Sequence, residues 1–203
     1  MKPIIFSSEM VLAILKGRKT MTRRPVKPQP VFNGKCWSWN QKKDGDPTVI
    51  LPPDRSHSVF LANYCPYGKP GDRLWVQESY KAQCGQKSAP GIPCGRYTSD
   101  AEWFYGSKGD KHPGKSFPTK VVPSIHMPRW ASRITLEIKD VRVEMVQEIS
   151  EEDAVAEGIH GNPLSDEVLE PFADLWNSIY EKKGLGWDAN PWVWVIEFRK
   201  VEV

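Results

Sequence analysis

The densest group of side chains that could do chemistry lies in residues 16–24, close to the start of the chain. Those nine residues hold five basic side chains and two hydroxyls: Lys16, Arg18, Lys19, Thr20, Thr22, Arg23 and Arg24. Between Lys16 and Pro30 there are six Lys or Arg residues and no Asp or Glu. The stretch therefore has a positive local potential, although the formal net charge of the whole chain is only +3. Such a region can bind a polyanion or line a catalytic pocket. A basic helix end followed by a solvated strand is the alternative interpretation.

A second group combines cations with an aromatic ring. Arg129, Trp130 and Arg133 lie close together in the sequence. An indole next to guanidinium groups can stack an unpaired base while the cations hold its phosphate. The residue types also allow another interpretation, in which Trp130 belongs to the core and both arginines are solvated.

The sequence before residue 16 predicts how the basic stretch is presented. Ser7 or Ser8 can cap a helix whose first turn contains Glu9. The apolar residues of that helix fall on one face: Met10, Val11, Ile14 and Leu15. Gly17 is placed to end the helix in the left-handed conformation. Residues 20–25 then favour an extended chain that stops at a proline, so the basic stretch is predicted at a helix-to-strand joint.

Length and composition predict one mixed α+β domain with long insertions. The 203 residues are 39% hydrophobic and include 9 Trp, which is enough apolar material for a sizeable core. No run approaches the roughly 18 apolar residues of a membrane span, and the N-terminus lacks the apolar segment of a secretory signal. We therefore expect a cytoplasmic protein that makes no contact with a membrane. The sequence does not determine the oligomeric state, and we favour a monomer.

The cysteines are dispersed and include no close pair: Cys36, Cys65, Cys84 and Cys94. In a cytosolic chain this spacing favours free thiols over a disulfide framework. A zinc site built from the four cysteines is the alternative, and the absence of close ligand pairs argues against it.

At the basic stretch the chain resembles a known family. The run Gly17-Arg18-Lys19-Thr20-x-Thr22-x-Arg24 after a short helix is similar to the signature of the ASCH family, whose domains resemble the PUA fold. Further blocks follow in the family's order, at residues 70–76, 134–138, 150–158 and 192–198, and the blocks together cover about half of the chain.

The resemblance implies a fold and a domain plan. The whole chain is similar to the longer ASCH proteins carried by phages and prophages, so residues 1–203 would form a single ASCH domain with insertions at about 31–58 and 81–122. The implied fold is α+β, a small PUA-like β-barrel with flanking helices. Its strands would lie near Leu74, Leu136 and Val195, and its helices near Met10 and Phe172.

The resemblance also implies that the partner is a modified nucleoside or RNA. In one bacterial branch of the family a Lys, a Thr and a Glu hydrolyse the amide of N4-acetylcytidine, and those positions match Lys19, Thr22 and Glu157. The chemistry is consistent, because a lysine desolvated beside other cations can take the proton of a Thr hydroxyl. The expected reaction is hydrolysis of an N4-acylated cytosine or related nucleoside, with Thr22 as nucleophile, Lys19 as base and Glu157 as proton shuttle.

The other members of the two groups would bind the substrate or a nucleic acid: Arg18, Arg23, Arg24, Arg129, Trp130 and Arg133. We expect neither a cofactor nor a metal, because the implied catalytic set has one carboxylate and no histidine. A non-catalytic RNA-binding module that uses residues 16–24 and Trp130 is the alternative function, and ribonuclease action is a weaker one.

Two local rules set conditions on the implied catalytic set. Residues three apart in a regular strand point to opposite faces, so Lys19 and Thr22 meet only if the joint bends. Glu157 lies at the C-terminal end of a predicted short helix, where the macrodipole disfavours an anion by about 0.3–1 kcal/mol. We therefore hypothesise that Lys19 holds Glu157. Glu157→Gln is then expected to abolish turnover, because it removes the proton shuttle, and to leave thermal stability equal or slightly higher, because it removes the anion from the helix end.

Overall fold

A computed structural model describes residues 1–39, 49–51, 63–82, 94–99, 103–105, 120–159 and 168–201. The chain divides into two compact units. The first unit comprises Met1–Gly17, Arg73–Glu137 and Lys200–Val203, and the second comprises Arg18–Asp72 and Ile138–Arg199. Large parts of the insertions predicted at 31–58 and 81–122 lie outside the described residues.

The predicted mixed α+β class is confirmed. The largest sheet has five strands, here in sheet order: Lys2–Ile5 (β1), Arg73–Gln77 (β6), Thr135–Met145 (β11), Trp192–Val201 (β12) and Met21–Pro25 (β2). Strands β1 and β6 run parallel, whereas β6 with β11 and β2 with β12 are antiparallel. Because β1 and β2 are the edges of this sheet in the described part of the chain, closure into a small barrel stays a prediction.

The first unit contains the helix that precedes the basic stretch. Helix α1 spans Ser8–Leu15, the side chain of Ser7 accepts a hydrogen bond from the Met10 N–H, and Val11, Ala13 and Ile14 are buried. Gly17 has φ +72°, the left-handed conformation predicted for the end of this helix. The unit also holds a four-stranded antiparallel sheet, in the order Lys120–Val122 (β10), Tyr80–Ala82 (β7), Cys94–Tyr97 (β8) and Trp103–Tyr105 (β9).

The second unit has the larger described core. Its two α-helices in the described residues are Glu151–Ala156 (α2) and Leu169–Tyr180 (α3). The aromatic residues of α3 pack with one face of β12 and with Met21, in a cluster that includes Phe172, Trp176, Tyr180, Val193 and Val195. The other face of β12 is also buried, at Trp192, Trp194, Ile196 and Phe198. Strand β12 is therefore covered on both sides, as its apolar sequence predicts.

The second unit also contains a small three-stranded antiparallel sheet. Its strands are Val31–Phe32 (β3), Trp37–Trp39 (β4) and Val49–Leu51 (β5). The ring of Trp37 lies 5.2 Å from that of Trp192, so the hairpin packs on the end of β12. No helix in the part of the chain that the structure describes is long and apolar enough to cross a membrane.

Candidate active site

The helix-to-strand joint at Lys19 lies against the end of helix α2. Ser150 caps the start of α2 by accepting a hydrogen bond from the Asp153 N–H at 3.2 Å, and Gly158 with φ 85° follows its last turn. The Thr20 N–H donates to the carbonyl of Ala156 at 2.9 Å. The chain entering β2 therefore satisfies a carbonyl that the helix end leaves without an intrahelical partner.

Lys19 and Glu157 form a buried ion pair at this point. The Lys19 Nζ donates to the Glu157 Oε2 at 2.7 Å and to the Glu157 carbonyl oxygen at 2.7 Å. The exposed fractions of the two side chains are 1% and 6%. The hypothesised contact is thus observed, and the ammonium compensates both the carboxylate and the negative helix end.

A second cation, Arg23, lies on the other side of the Glu157 carboxylate. The Arg23 Nη1 is 3.5 Å from the Glu157 Oε1. The rest of its guanidinium is bonded to Glu144, with Nε to Oε1 at 3.1 Å, and to Asp153. Arg142 in turn contacts the same two carboxylates. Arg23 was predicted to bind substrate, but the structure places it in a buried network in which its charge is already matched.

The surroundings of Lys19 lower its pKa. Burial lowers the pKa of Lys19 from its ordinary value of 10.5; the Glu157 carboxylate opposes this shift, and Arg24 and Arg23 add to it. A lysine whose pKa is lowered has a larger neutral fraction near pH 7 and can accept a proton. The pair can therefore exchange a proton between an amine and a carboxylate that are in direct contact.

One oxygen of the Glu157 carboxylate can accept a further hydrogen bond. The Oε1 is buried and accepts no hydrogen bond from any described residue, and the Arg23 Nη1 lies 3.5 Å from it. Buried polar atoms in folded proteins are nearly always hydrogen-bonded, and an exception points to a function or to a bound molecule. This oxygen is the acceptor that a proton shuttle would use.

Thr22 is near Lys19 in sequence, but it lies on the face of strand β2 opposite to that of Arg23, which contacts Glu157. Thr22 is paired with Ile196 and Arg23 with Val195 in an unbroken antiparallel register, and neighbouring side chains of a strand point to opposite faces. The joint does bend before the strand, because the Thr20 N–H bonds to helix α2. That bend precedes Thr22 and leaves its own alternation regular. The role of Thr22 as nucleophile stays a prediction.

The other predicted binding residues occupy different surroundings. Arg18 is exposed, and the Arg24 Nη1 lies 3.4 Å from the Tyr180 hydroxyl. In the first unit, Arg129 and Trp130 are exposed. The interpretation of Trp130 as a core residue is therefore wrong.

Arg133 in the first unit belongs to an internal polar cluster. Its Nε donates to the Glu78 Oε1 at 3.0 Å, and its guanidinium lies 3.9 Å from the centre of the Tyr97 ring. The Ser99 hydroxyl bonds to both partners of this ion pair. Since Glu78 is almost wholly buried, the pair serves to fix Arg133 in place.

Sequence reasoning missed Glu144, Asp153 and Arg142 as members of the site. Asp153 had a local signal, because it stands in the acidic first turn of α2, but that signal indicates helix capping. Glu144 and Arg142 alternate with apolar residues on β11, as solvated residues also do. Only the tertiary structure brings them to Arg23.

The described residues contain no group of three His, Cys, Asp or Glu side chains that could hold a metal ion. In the described part of the chain, Cys36 and Cys65 form no disulfide bond. The zinc alternative also involves Cys84, which lies outside the described residues.

Comparison with known proteins does not show a family. No family model matches the chain, and no curated protein is significantly similar to it. A solved structure, that of protein EF3133 from Enterococcus faecalis V583, described as family model DUF984, is similar with a TM-score of 0.44 and 12% sequence identity, over 99% of this chain and 81% of that one. Membership of the ASCH family stays a prediction from the sequence.

Proposed function

We propose that the chain hydrolyses the amide of an N4-acylated cytosine or a related modified nucleoside. The observation that carries the proposal is the buried contact between the Lys19 amine and the Glu157 carboxylate, 2.7 Å long. Proton-transfer partners must come within about 2.6–3.2 Å of each other. The ASCH-like run around Lys19 supports the same activity and a PUA-like barrel. We also propose that the protein is a monomer in the cytoplasm and needs no cofactor.

In the proposed reaction Lys19 acts as general base. The neutral amine takes the proton of the Thr22 hydroxyl as the oxygen attacks the acyl carbon, and a tetrahedral intermediate forms. The carbon–nitrogen bond then breaks, and the proton passes through Glu157 to the leaving amine of the cytosine. Water, deprotonated by the same pair, hydrolyses the acyl-threonine and restores the site.

The register of β2 sets a condition on this reaction. Thr22 shares a face with Ile196 and Arg24, whereas Arg23 faces Glu157. Attack by Thr22 therefore requires the first residues of β2 to turn out of regular alternation when the substrate binds. As an edge strand of the described sheet, β2 has a ladder partner only on its β12 side, so this movement breaks few backbone hydrogen bonds.

The same register supports a second candidate function. If β2 keeps its alternation in the complex, the Thr22 hydroxyl stays on the face away from the Lys19–Glu157 pair. The basic stretch then binds a nucleoside or RNA without hydrolysis.

The test compares two threonines that stand two residues apart. Thr22→Ala is expected to lower kcat on N4-acetylcytidine by at least about a hundredfold, and Thr22→Ser to retain measurable turnover. Thr20→Ala is the matched control, because Thr20 is exposed and its backbone contacts do not need its side chain. Release of cytidine is followed by liquid chromatography.

Two outcomes separate the candidates. Equal turnover by Thr22→Ala and wild type would remove the proposed nucleophile. Saturable binding of N4-acetylcytidine without release of cytidine would establish the binding function in place of hydrolysis.

A further inference from the structure

Arg23 is a buried cation to which the proposed reaction gives no role. Its side chain is 1% exposed, whereas most arginines keep their charged end in water. From strand β2 it reaches two carboxylates of helix α2, those of Asp153 and Glu157. These two residues are four apart in the sequence, so their side chains are neighbours on one side of the helix. The guanidinium therefore bridges two acids one helical turn apart.

The guanidinium is held in one orientation by residues other than Glu157. The Arg23 Nε donates to the Glu144 Oε1 at 3.1 Å, and its Nη2 donates to Glu144 and to Asp153. Arg142 bonds to the same two carboxylates and fixes their positions in turn. The Arg23 Nη1 is left 3.5 Å from the Glu157 Oε1. The place of this positive charge beside Glu157 is thus set in advance.

The proposed reaction needs such a charge, because Lys19 cannot supply it throughout. In the observed contact the Lys19 ammonium matches the Glu157 carboxylate at 2.7 Å. A lysine that acts as base must be neutral, so the buried carboxylate then loses its closest counter-ion, which is strongly unfavourable. Arg23 keeps its charge, because a guanidinium does not lose its proton in proteins.

The charged groups around the pair come from several elements of the second unit. The arginines are Arg23 and Arg24 on β2 and Arg142 on β11, and the carboxylates are Glu144 on β11, Asp153 and Glu157 at α2, and Glu197 on β12. With Lys19 neutral, these are three cations and four anions. Without Arg23 only two cations would remain, and the excess of negative charge would hold the proton on Lys19.

We infer that Arg23 is a positioning residue of the proposed site. Its guanidinium stays charged beside the Glu157 Oε1 and holds this carboxylate in place when Lys19 gives up its proton. Arg23 acts through Glu157 and touches no reacting atom. The inference rests on the proposed function, in which Lys19 is the base. The effect of Arg23 on Lys19 has the sign that this role requires, because the Arg23 charge is one of the causes that lower the pKa of Lys19.

The kinetic test is Arg23→Met, which removes the charge and keeps an unbranched side chain. The rise of kcat with pH on N4-acetylcytidine should move to higher pH. Turnover near pH 7 should fall at least about tenfold and recover at alkaline pH. KM should change little, because Arg23 does not touch the substrate. Arg23→Lys keeps the charge and should return the pH profile toward that of the wild type.

A second measurement does not need turnover. NMR titration of the protein labelled with isotopic lysine reports the ionisation of Lys19, and Lys19→Met assigns its signal. Arg23→Met should raise the pKa of Lys19, because a cation that disfavours the ammonium is gone. This measurement separates the two proposals. A raised Lys19 pKa in a chain that releases no cytidine would reject the proposed reaction and support the action of Arg23 on the pair.

Arg142 provides the matched control. It bonds to Glu144 and Asp153 as Arg23 does, its described ion pairs do not include Glu157, and its side chain is 31% exposed. Arg142→Met therefore loses comparable ion pairs and keeps the charge beside Glu157, so the titration of Lys19 should stay as in the wild type. Circular dichroism checks that each variant is folded.

A second pair of variants serves if Arg23→Met does not fold. Glu144→Gln removes a carboxylate that the loss of Arg23 would leave poorly matched. Arg23→Met is then compared with Arg23 in this background, and the Lys19 pKa is again expected to be higher without the guanidinium.

Three results would overturn the inference. The first is the same Lys19 titration in Arg23→Met and wild type. The second is turnover that falls equally at every pH in Arg23→Met, since a structural role alone explains that loss. The third is an equal shift of the Lys19 titration in Arg142→Met, which would make the effect a property of the whole network.

Discussion

Replacing Glu157 by Gln tests whether the carboxylate in the second unit is held as the structure indicates. The substitution keeps the shape of the side chain and removes its charge. In the native structure that charge lies 2.7 Å from the Lys19 Nζ and 3.5 Å from the Arg23 Nη1, with both cations buried. Glu157→Gln therefore leaves a buried ammonium without its closest counter-ion.

The magnitude follows from three contributions. Removing one partner of a buried ion pair lowers the free energy of unfolding by about 3–5 kcal/mol. The glutamine oxygen can still accept the Lys19 hydrogen bond, which returns about 0.5–1.5 kcal/mol. Removal of an anion from the helix end returns about 0.3–1 kcal/mol. We expect the free energy of unfolding to fall by about 2–3 kcal/mol, which for a chain of this length lowers the Tm by roughly 5–10 °C.

This expectation reverses the one drawn from local sequence rules. That expectation counted the helix dipole, but neither the burial of the Lys19–Glu157 pair nor the Arg23 guanidinium beside the carboxylate. Thermal and urea unfolding followed by circular dichroism measure the change. Glu151→Gln is the control, because Glu151 is an exposed acid on the same helix and should change stability by about 1 kcal/mol at most. A Tm for Glu157→Gln within about one degree of wild type would refute the buried ion pair.

Two further predictions concern pH and metal ions. Because Lys19 must be neutral to act as base, kcat is expected to rise with pH through a pKa below 10.5. Persistence of that dependence in a still active Lys19→Met would assign the base to another group. The folded-state pKa of Lys19 is lowered, so the unfolded chain binds more protons between the folded and unfolded pKa values, and the free energy of unfolding rises with pH across that window. Lys19→Met should flatten the rise. Exhaustive chelation should leave turnover unchanged, because the proposed catalytic set has a single carboxylate whose nearest partners are cations; activity that returns only with added zinc would contradict this.

Much of the local structure follows from the sequence. The capped helix α1, its end at Gly17 and the strand entered at Met21 are set by capping residues, a glycine at positive φ and a closing proline. The contact of Lys19 with Glu157 was also anticipated, since an anion at a helix end needs a cation. The helix, its end and the strand depend on residues close together in sequence. The Lys19–Glu157 contact was predictable because an anion at the C-terminal end of a helix is unfavourable unless a cation lies beside it.

The other features of the site depend on residues that are far apart in the sequence. Arg23 is neutralised by Glu144 and Asp153, which lie 121 and 130 positions away, and no local pattern distinguishes it from the exposed Arg18. Arg23 is a charged residue that the structure buries, whereas Trp130 is an apolar residue that it leaves exposed. Its residue type favours the core, but the 3-10 turn of Arg129–Ala131 buries Ala131 and leaves the indole in solvent.

The most direct test of the central claim is turnover of N4-acetylcytidine by the purified chain and by Lys19→Met. The account predicts that the wild type releases cytidine and acetate in equal amounts. In Lys19→Met turnover should fall at least about a hundredfold, because the general base is lost, and folding should be retained as judged by circular dichroism. Wild-type turnover that survives unchanged in folded Lys19→Met would contradict the assignment of the Lys19–Glu157 pair as the catalytic centre.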